Sequence, residues 1–214
     1  MNDSWGTKEN IIVAARKART QTERREEAEA SIILAAARLV AEKGYDGFSL
    51  ADVGEKAGYS RGLPAHYFGK RDELLKRVAE KIIEDFYDGF SRIPETKPGL
   101  PNVNALVRHY AASSKTRRVK ALVILLARSL VDKNLKPTIH ELNDLSLSLL
   151  EQRIAAGIDV GNIRPDIDVN VQARLIYSFL RGQLGFVTFD KDYDIVSICE
   201  SFLAMLEQTI GRKA

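Results

Sequence analysis

The sequence predicts an all-α fold, and three observations carry that prediction. Apolar residues outside the turns recur at three- and four-residue steps, as along one face of a helix. No run alternates polar and apolar residues in the manner of a half-buried strand. The periodic segments are also punctuated by turn-forming residues, at Lys133-Asn134, from Gly157 to Pro165 and from Asp190 to Asp192.

Taken in order, Ile32, Ile33, Ala36, Leu39 and Val40 form the first apolar face, which stops at Gly44, a C-terminal cap. Ser49 with Asp52 three residues on gives a serine-led capping pattern for a second helix. That helix ends at Ala57-Gly58, and Ser60 is suited to cap a third. From Arg71 a longer helix carries Leu74, Leu75, Val78, Ile82, Ile83 and Phe86 on one side. It runs into the stretch from Pro94 to Pro101, which holds three of the six prolines and reads as a linker or elbow. Further helices are expected near 102–114, 117–132, 136–156, 168–187 and 192–210.

A length of 214 residues allows one large domain or two smaller ones. Hydrophobic residues at 45% and charged residues at 29% are ordinary for a soluble globular chain. The net charge of +3 favours an anionic partner only weakly. Cys199 is the single cysteine, so an intramolecular disulfide is excluded, and a reducing, cytoplasmic setting is expected. The N-terminus lacks the apolar run of a signal peptide, and the stretch from Ala121 to Val131 is too short to span a bilayer and contains Arg128.

Little points to catalysis. His66, His109 and His140 give no closely spaced ligand pair, so no metal is expected. Cys199 has no basic neighbour to activate it. No phosphate loop, nucleophile elbow or dinucleotide fingerprint occurs. No cofactor is expected, and the chain is not read as an enzyme.

The segment from Ser49 to Leu75 carries the chemistry. Two helices that cross closely need small residues, which Gly54 and Ala57 supply, while Gly58 supplies the turn. Val53, Tyr59 and Phe68 are spaced to pack the pair onto the preceding helix. Arg61, Gly62, Leu63, Ala65, His66 and Tyr67 remain to face outwards. An arginine at the start of such a helix reaches guanine or phosphate, and a glycine beside it lets backbone approach a duplex. Lys70 and Arg71 open the next helix, where positive charge and free N–H groups suit a phosphate. From Gly58 through Arg71 there are three basic residues and no acidic one. The competing reading is a solvated face, with His66 a packing histidine.

Residues from about 28 to 76 resemble the DNA-binding domain of the TetR family of bacterial transcriptional regulators. The matching string runs Ile33-Leu34-Ala35-Ala36, Glu42-Lys43-Gly44-Tyr45-Asp46, Ser49, Asp52-Val53 and Ala57-Gly58. It continues through Ser60-Arg61-Gly62, Tyr67-Phe68-Gly69 and Asp72-Glu73-Leu74-Leu75. The resemblance implies that Ser49 and Ser60 cap helices near the DNA backbone, that Arg61 to Tyr67 face the major groove, and that Arg71 stands where a phosphate-contacting lysine is usual. Pro64-Ala65-His66 departs from the family's usual Leu-Tyr-Tyr, so a hydroxyl contact at His66 is not carried over. Ahead of this domain, residues 1–27 form a basic extension with Lys8, Arg16, Lys17, Arg19, Arg24 and Arg25, either a solvated tail or a minor-groove arm.

The resemblance weakens after about residue 90, leaving residues 77–214 as an expected effector-binding and dimerisation domain. It implies a two-fold homodimer through the last two helices. Val171, Leu175, Phe179, Leu180 and Leu184, with Ile195, Ile198, Phe202, Met205 and Leu206, provide apolar stripes for that interface or for the subunit's own core. Tyr110, Arg128 and Tyr177 are polar groups within apolar helical stretches, as effector-orienting groups are, with structural hydrogen bonding the alternative. The expected function is a repressor that binds a palindromic DNA operator as a homodimer and is released by a small-molecule effector. The alternatives are a DNA-binding dimer without an effector and, further off, a helical enzyme.

Overall fold

The computed structural model describes residues 20–92 and 97–212. Among them the only regular element is the α-helix, and no strand forms beyond one isolated bridge between Ile163 and Gly211. Much of the basic extension, with Lys8, Arg16, Lys17 and Arg19, lies outside the described residues.

The first helix, α1 (Gln21–Lys43), starts before its apolar face does. Thr20 and Glu23 form a reciprocal capping box, so residues 21–27, expected within the extension, are helical. The helix ends at Gly44, where φ is +79°. The second helix, α2 (Leu50–Ala57), is capped by Ser49 with Asp52 as expected and closes on Gly58 at φ +81°. The third, α3 (Leu63–Phe68), starts two residues later than a Ser60 cap would set it. Gly62 stands at its N-cap with no side-chain bond, and Ser60 contributes only its carbonyl, to Leu63 N at 3.1 Å. Pro64 follows at a first-turn position, where a missing N–H costs nothing.

The remaining helices are α4 (Arg71–Ser91), α5 (Leu100–Ser113), α6 (Arg117–Ser129), α7 (Lys136–Asp159), α8 (Val169–Phe189) and α9 (Ile195–Ile210). The seventh runs three residues beyond its expected end, into the region read as a break, before turning at Gly161. Gly157 sits within it because a β-carbon there would stand 2.5 Å from Ile163 Cδ1 and 2.8 Å from Gly99 Cα. Asn162 closes the same corner, accepting from Leu100 N at 3.0 Å and donating to Pro98 O at 2.8 Å.

Two apolar clusters organise the packing. One joins Ile32, Val40 and Val53 to Leu74, Leu75, Val78, Leu125 and Leu135, so α1, α2, α4, α6 and the start of α7 share a core. The other joins α5, α7, α8 and α9 through Val103, Ile154, Ile176, Cys199 and Leu203. Each fully buried Leu or Ile contributes about 1.5–3 kcal/mol of transfer free energy. The N-terminal half of α4 belongs to the first cluster, whereas Phe86 and Phe90 near its other end pack on the second. A helix of this length spans about 30 Å, and it physically joins the two cores.

No described helix is long and apolar enough to cross a membrane. The described residues also contain no group of three or more His, Cys, Asp or Glu side chains placed to hold a metal ion.

Candidate nucleic-acid interface

The helix pair forms because glycine permits it. A β-carbon on Gly54 would stand 2.5 Å from Ser60 O and 3.1 Å from Arg61 Cα, so only glycine lets the turn close over α2. Val53 is fully buried, and Tyr59 and Phe68 pack against the first core, as their spacing predicts. A Lys56–Glu42 ion pair at 3.1 Å ties α2 to α1.

On the outer side, Ser60, Arg61, Gly62, Ala65 and His66 are exposed, while Leu63 and Tyr67 are half-buried. His66 stands edge-on to Tyr67, with ring centroids 5.8 Å apart. Arg61 lies in the turn ahead of α3 rather than in its first helical turn, and its Nη1 donates to Glu55 Oε1 at 2.6 Å. That pair is exposed on both sides and therefore weak. Ser49 is exposed, and both its N–H and hydroxyl donate to Asp52 Oδ2, at 2.7 and 2.8 Å, which lowers the Asp52 carboxyl below its usual range.

The two basic residues at the start of α4 differ. Lys70 is the N-cap residue, exposed and extended, and no ion pair to it forms among the described residues. The Arg71 guanidinium lies 4.7 Å from the centroids of both the Tyr45 and Phe48 rings. Its Nε and Nη2 are buried without a hydrogen-bond partner among the described residues. Arg71 is thus half-buried against these rings.

Arg128 belongs to the same cluster. It lies 4.5 Å over the Tyr45 ring, with Asp132 at 3.5 Å and Asp46 at 3.7 Å. Tyr45 donates its hydroxyl to Asp132 Oδ2 at 2.8 Å, and burial together with that bond pushes its pKa up to about 12. The Asp132 carboxyl is drawn the other way. Desolvation opposes the charge, but donors from Tyr45, the Asn134 and Leu135 N–H groups and Arg128 outweigh it and lower the pKa. The turn between α6 and α7 is thereby fastened to the helix pair, with Asn134 Nδ2 adding a bond to Asp72 at 3.2 Å.

Tyr110 and Tyr177 come together elsewhere, in a cavity of about 80 Å³ between α4, α5, α6, α7 and α8. Arg128 does not line it. The Tyr110 hydroxyl donates to the Leu180 carbonyl, and burial raises its pKa. Tyr177 donates to Asn143 Oδ1 at 2.6 Å and accepts from Arg181 Nε at 2.7 Å. Arg181 was not singled out from the sequence, although a charge inside an apolar run marks it as much as Arg128. The basic run 115–120 is surface: Arg118 pairs with Asp85 at 2.6 Å, and Lys115 reaches the Lys191 carbonyl at 3.3 Å.

The expected interface residues divide by burial. Val171, Leu175 and Met205 are exposed, Phe179 and Ile198 are half-buried, and Leu184, Ile195 and Phe202 are buried in the subunit core. Phe179 stacks on Phe202 with centroids 3.8 Å apart. Cys199 is buried, which pushes its thiol pKa up, away from nucleophilic chemistry.

Comparison with known proteins agrees with this geometry. Residues 32–78 match the family described as bacterial regulatory proteins, tetR family. The fatty acid metabolism regulator protein of Bacillus subtilis (strain 168) is 24% identical over 185 residues, covering 85% of this chain and 95% of its own. The HTH-type transcriptional regulator CymR of Pseudomonas putida is 41% identical over 83 residues, 38% of this chain and 41% of that one. Among solved structures, a protein of Saccharomonospora viridis in complex with choline superposes with a TM-score of 0.74 at 17% identity, over 88% of this chain and all of its own. These relatives are regulators rather than enzymes. The matched segment contains the whole helix pair and the start of α4, and this segment belongs to the TetR family of bacterial regulatory proteins.

Proposed function

We propose that this DNA-binding regulator is a repressor, acting as a homodimer on a near-palindromic operator and released by a small molecule held in the cavity. The observation that carries the reading is the course of α4. Its first residue, Arg71, stacks on the helix-pair core, and fifteen residues on, Phe86 lines the cavity with Ile83 and Tyr87. At 1.5 Å per residue these ends are about 22 Å apart, so a ligand that displaces the distal part of α4 tilts the reading head with it.

In this reading residues 28–76 form the reading domain and residues 77–214 the effector-binding and dimerisation domain. The exposed positions of α3 and its preceding turn enter the major groove: Ser60, Arg61, Gly62, Leu63, Ala65, His66 and Tyr67. Ser49 and Lys70 contact phosphates. Arg61 leaves Glu55 for guanine or phosphate, since a solvated ion pair holds it by only about 0–1 kcal/mol. Arg71, expected to touch phosphate, packs against the Tyr45 and Phe48 rings and is assigned no phosphate in this reading. The effector meets Tyr110 and Tyr177, without Arg128.

Dimerisation is supported by an exposed stripe on α8, where Val171, Leu175, Phe186 and Phe189 are all solvent-facing, alongside Val196 and Met205 on α9. Leu184, Ile195 and Phe202 hold the subunit together rather than the pair. Two heads on a two-fold axis read half-sites about 34–36 Å apart.

The test is fluorescence anisotropy with DNA from the region flanking the chain's own coding sequence, combined with sedimentation. The expected result is two chains on one inverted repeat. A monomer reading a single half-site removes the dimer, and equal binding to every fragment removes the operator.

A further inference from the structure

The charges around the cavity do not balance. Its wall is apolar apart from tyrosine and serine hydroxyls and one cation, Arg181, and no carboxylate lines it. Arg181 is half-buried and makes two hydrogen bonds, from Nε to the Tyr177 hydroxyl and from Nη2 to Asn143 Oδ1. Neither acceptor is charged. A second arginine, Arg153, stands behind the wall, where burial lowers its pKa and Tyr87 is the one group that opposes the shift. It bonds the Leu149 carbonyl at 2.7 Å, lies 5.1 Å over the Phe90 ring, and its buried Nε has no partner among the described residues.

Half-buried guanidinium groups in proteins ordinarily carry carboxylate partners, because desolvating an uncompensated charge is costly. One such group on the cavity wall and a second behind it, neither with a counter-charge among the described residues, leave a site whose missing component is an anion. Resting on the regulator reading above, we infer that the effector is a monocarboxylate with a compact apolar body. Its carboxylate accepts from Arg181, whose Nη1 makes no hydrogen bond among the described residues, and its body lies against Ile83, Phe86 and Leu180.

Volume selects in the same direction. About 80 Å³ is well below the roughly 300–1,000 Å³ of ordinary ligand pockets. A body longer than a few carbons therefore spreads α4 from α8 as it enters, which is the motion the proposed release requires. The choline held by the Saccharomonospora viridis protein is a cation, and it is the wrong sign for this cavity.

Binding is tested with hexanoate, octanoate and phenylacetate, each beside its neutral primary amide, against the purified full chain. The readouts are melting temperature and release of labelled DNA. At least one carboxylate should raise the melting temperature while its amide does not. Asn143→Asp keeps the shape of the Tyr177–Arg181 network but supplies an internal carboxylate, and should weaken the best carboxylate about 10- to 100-fold. Arg181→Gln should do the same and Arg181→Lys less, each variant's own melting curve verifying its fold. Equal shifts from acid and amide, no shift from any of the three acids at millimolar concentration, or full affinity in Asn143→Asp overturns the inference. DNA binding measured without any carboxylate stands apart: if it persists while the acids fail, the regulator reading survives, and if it is absent while the acids bind, only the regulator reading falls.

Discussion

Two pairs of arginines sit against aromatic rings in this molecule, and their surroundings differ in one respect. At the junction, Arg71 and Arg128 approach Tyr45 within 4.7 and 4.5 Å, and Asp132 and Asp46 stand beside Arg128. At the cavity, Arg153 lies over Phe90 and Arg181 over Tyr177, at 5.1 and 5.0 Å, with no carboxylate beside either among the described residues. Of the first pair only Arg128 is compensated, by Asp132 and Asp46; Arg71 makes ring contacts alone, with its Nε and Nη2 buried without a partner among the described residues. The second pair has no carboxylate partner among the described residues, and the inferred effector places its carboxylate beside Arg181. What sets Arg181 apart from Arg71, which also has no carboxylate partner among the described residues, is that it lines the cavity.

The largest effect is expected from Arg71→Ala, which removes two ring contacts and should cost about 1–3 kcal/mol in urea unfolding. It should leave the salt dependence of DNA binding nearly unchanged, and a flattened salt slope would return Arg71 to the phosphate backbone.

Next comes Asp132→Asn, which removes the nearer of the junction's two carboxylates and should cost about 1–2 kcal/mol at neutral pH. The sign of its pH dependence follows from the lowered carboxyl pKa. A depressed folded pKa contributes stability that is fully present above the unfolded value, about 4, and is lost as pH falls through the folded value. The wild type should lose this contribution below about pH 4, and Asp132→Asn should lack that component of the acid transition.

At the cavity the prediction has the opposite sign. Arg153→Met replaces a half-buried cation without stranding a carboxylate, and should be neutral or stabilising by up to about 1 kcal/mol. A loss of more than that would mean Arg153 is compensated after all. The smallest effect is expected from Glu55→Gln, which frees Arg61 and removes a charge facing the duplex. DNA affinity should rise severalfold or less, about 0.5 kcal/mol, with protein stability unchanged.

Much of this was legible in the sequence because the signals are local. Helical periodicity, the Ser49–Asp52 box, the Gly58 turn and the small residue at Gly54 report on backbone geometry within a few residues. The start of α1 was legible too, in Thr20 and Glu23, but its first turns are exposed and carry no apolar periodicity. What the sequence could not separate was the destination of side chains in the long helices. Val171 and Leu184 read alike as apolar residues on α8, yet one is exposed and the other is core, because only the packing of α6 and α7 decides which face is covered. Arg128 and Arg181 read alike as charges in apolar runs, and the fold sends one to the junction and the other to the cavity. Likewise Lys70 and Arg71 look like one basic step until the rings of Tyr45 and Phe48 take the arginine.

The account rests most heavily on the exposed segment 60–67 and Lys70 as a duplex-binding face. It is tested most directly by the affinity of the full chain for DNA flanking its own coding region, measured by anisotropy across a salt series for the wild type and Lys70→Ala. The account predicts that log affinity falls steeply with log salt, and that Lys70→Ala reduces the slope by about one per reading head while lowering affinity for all sequences alike. Binding that ignores salt, or a Lys70→Ala slope identical to wild type, would contradict it.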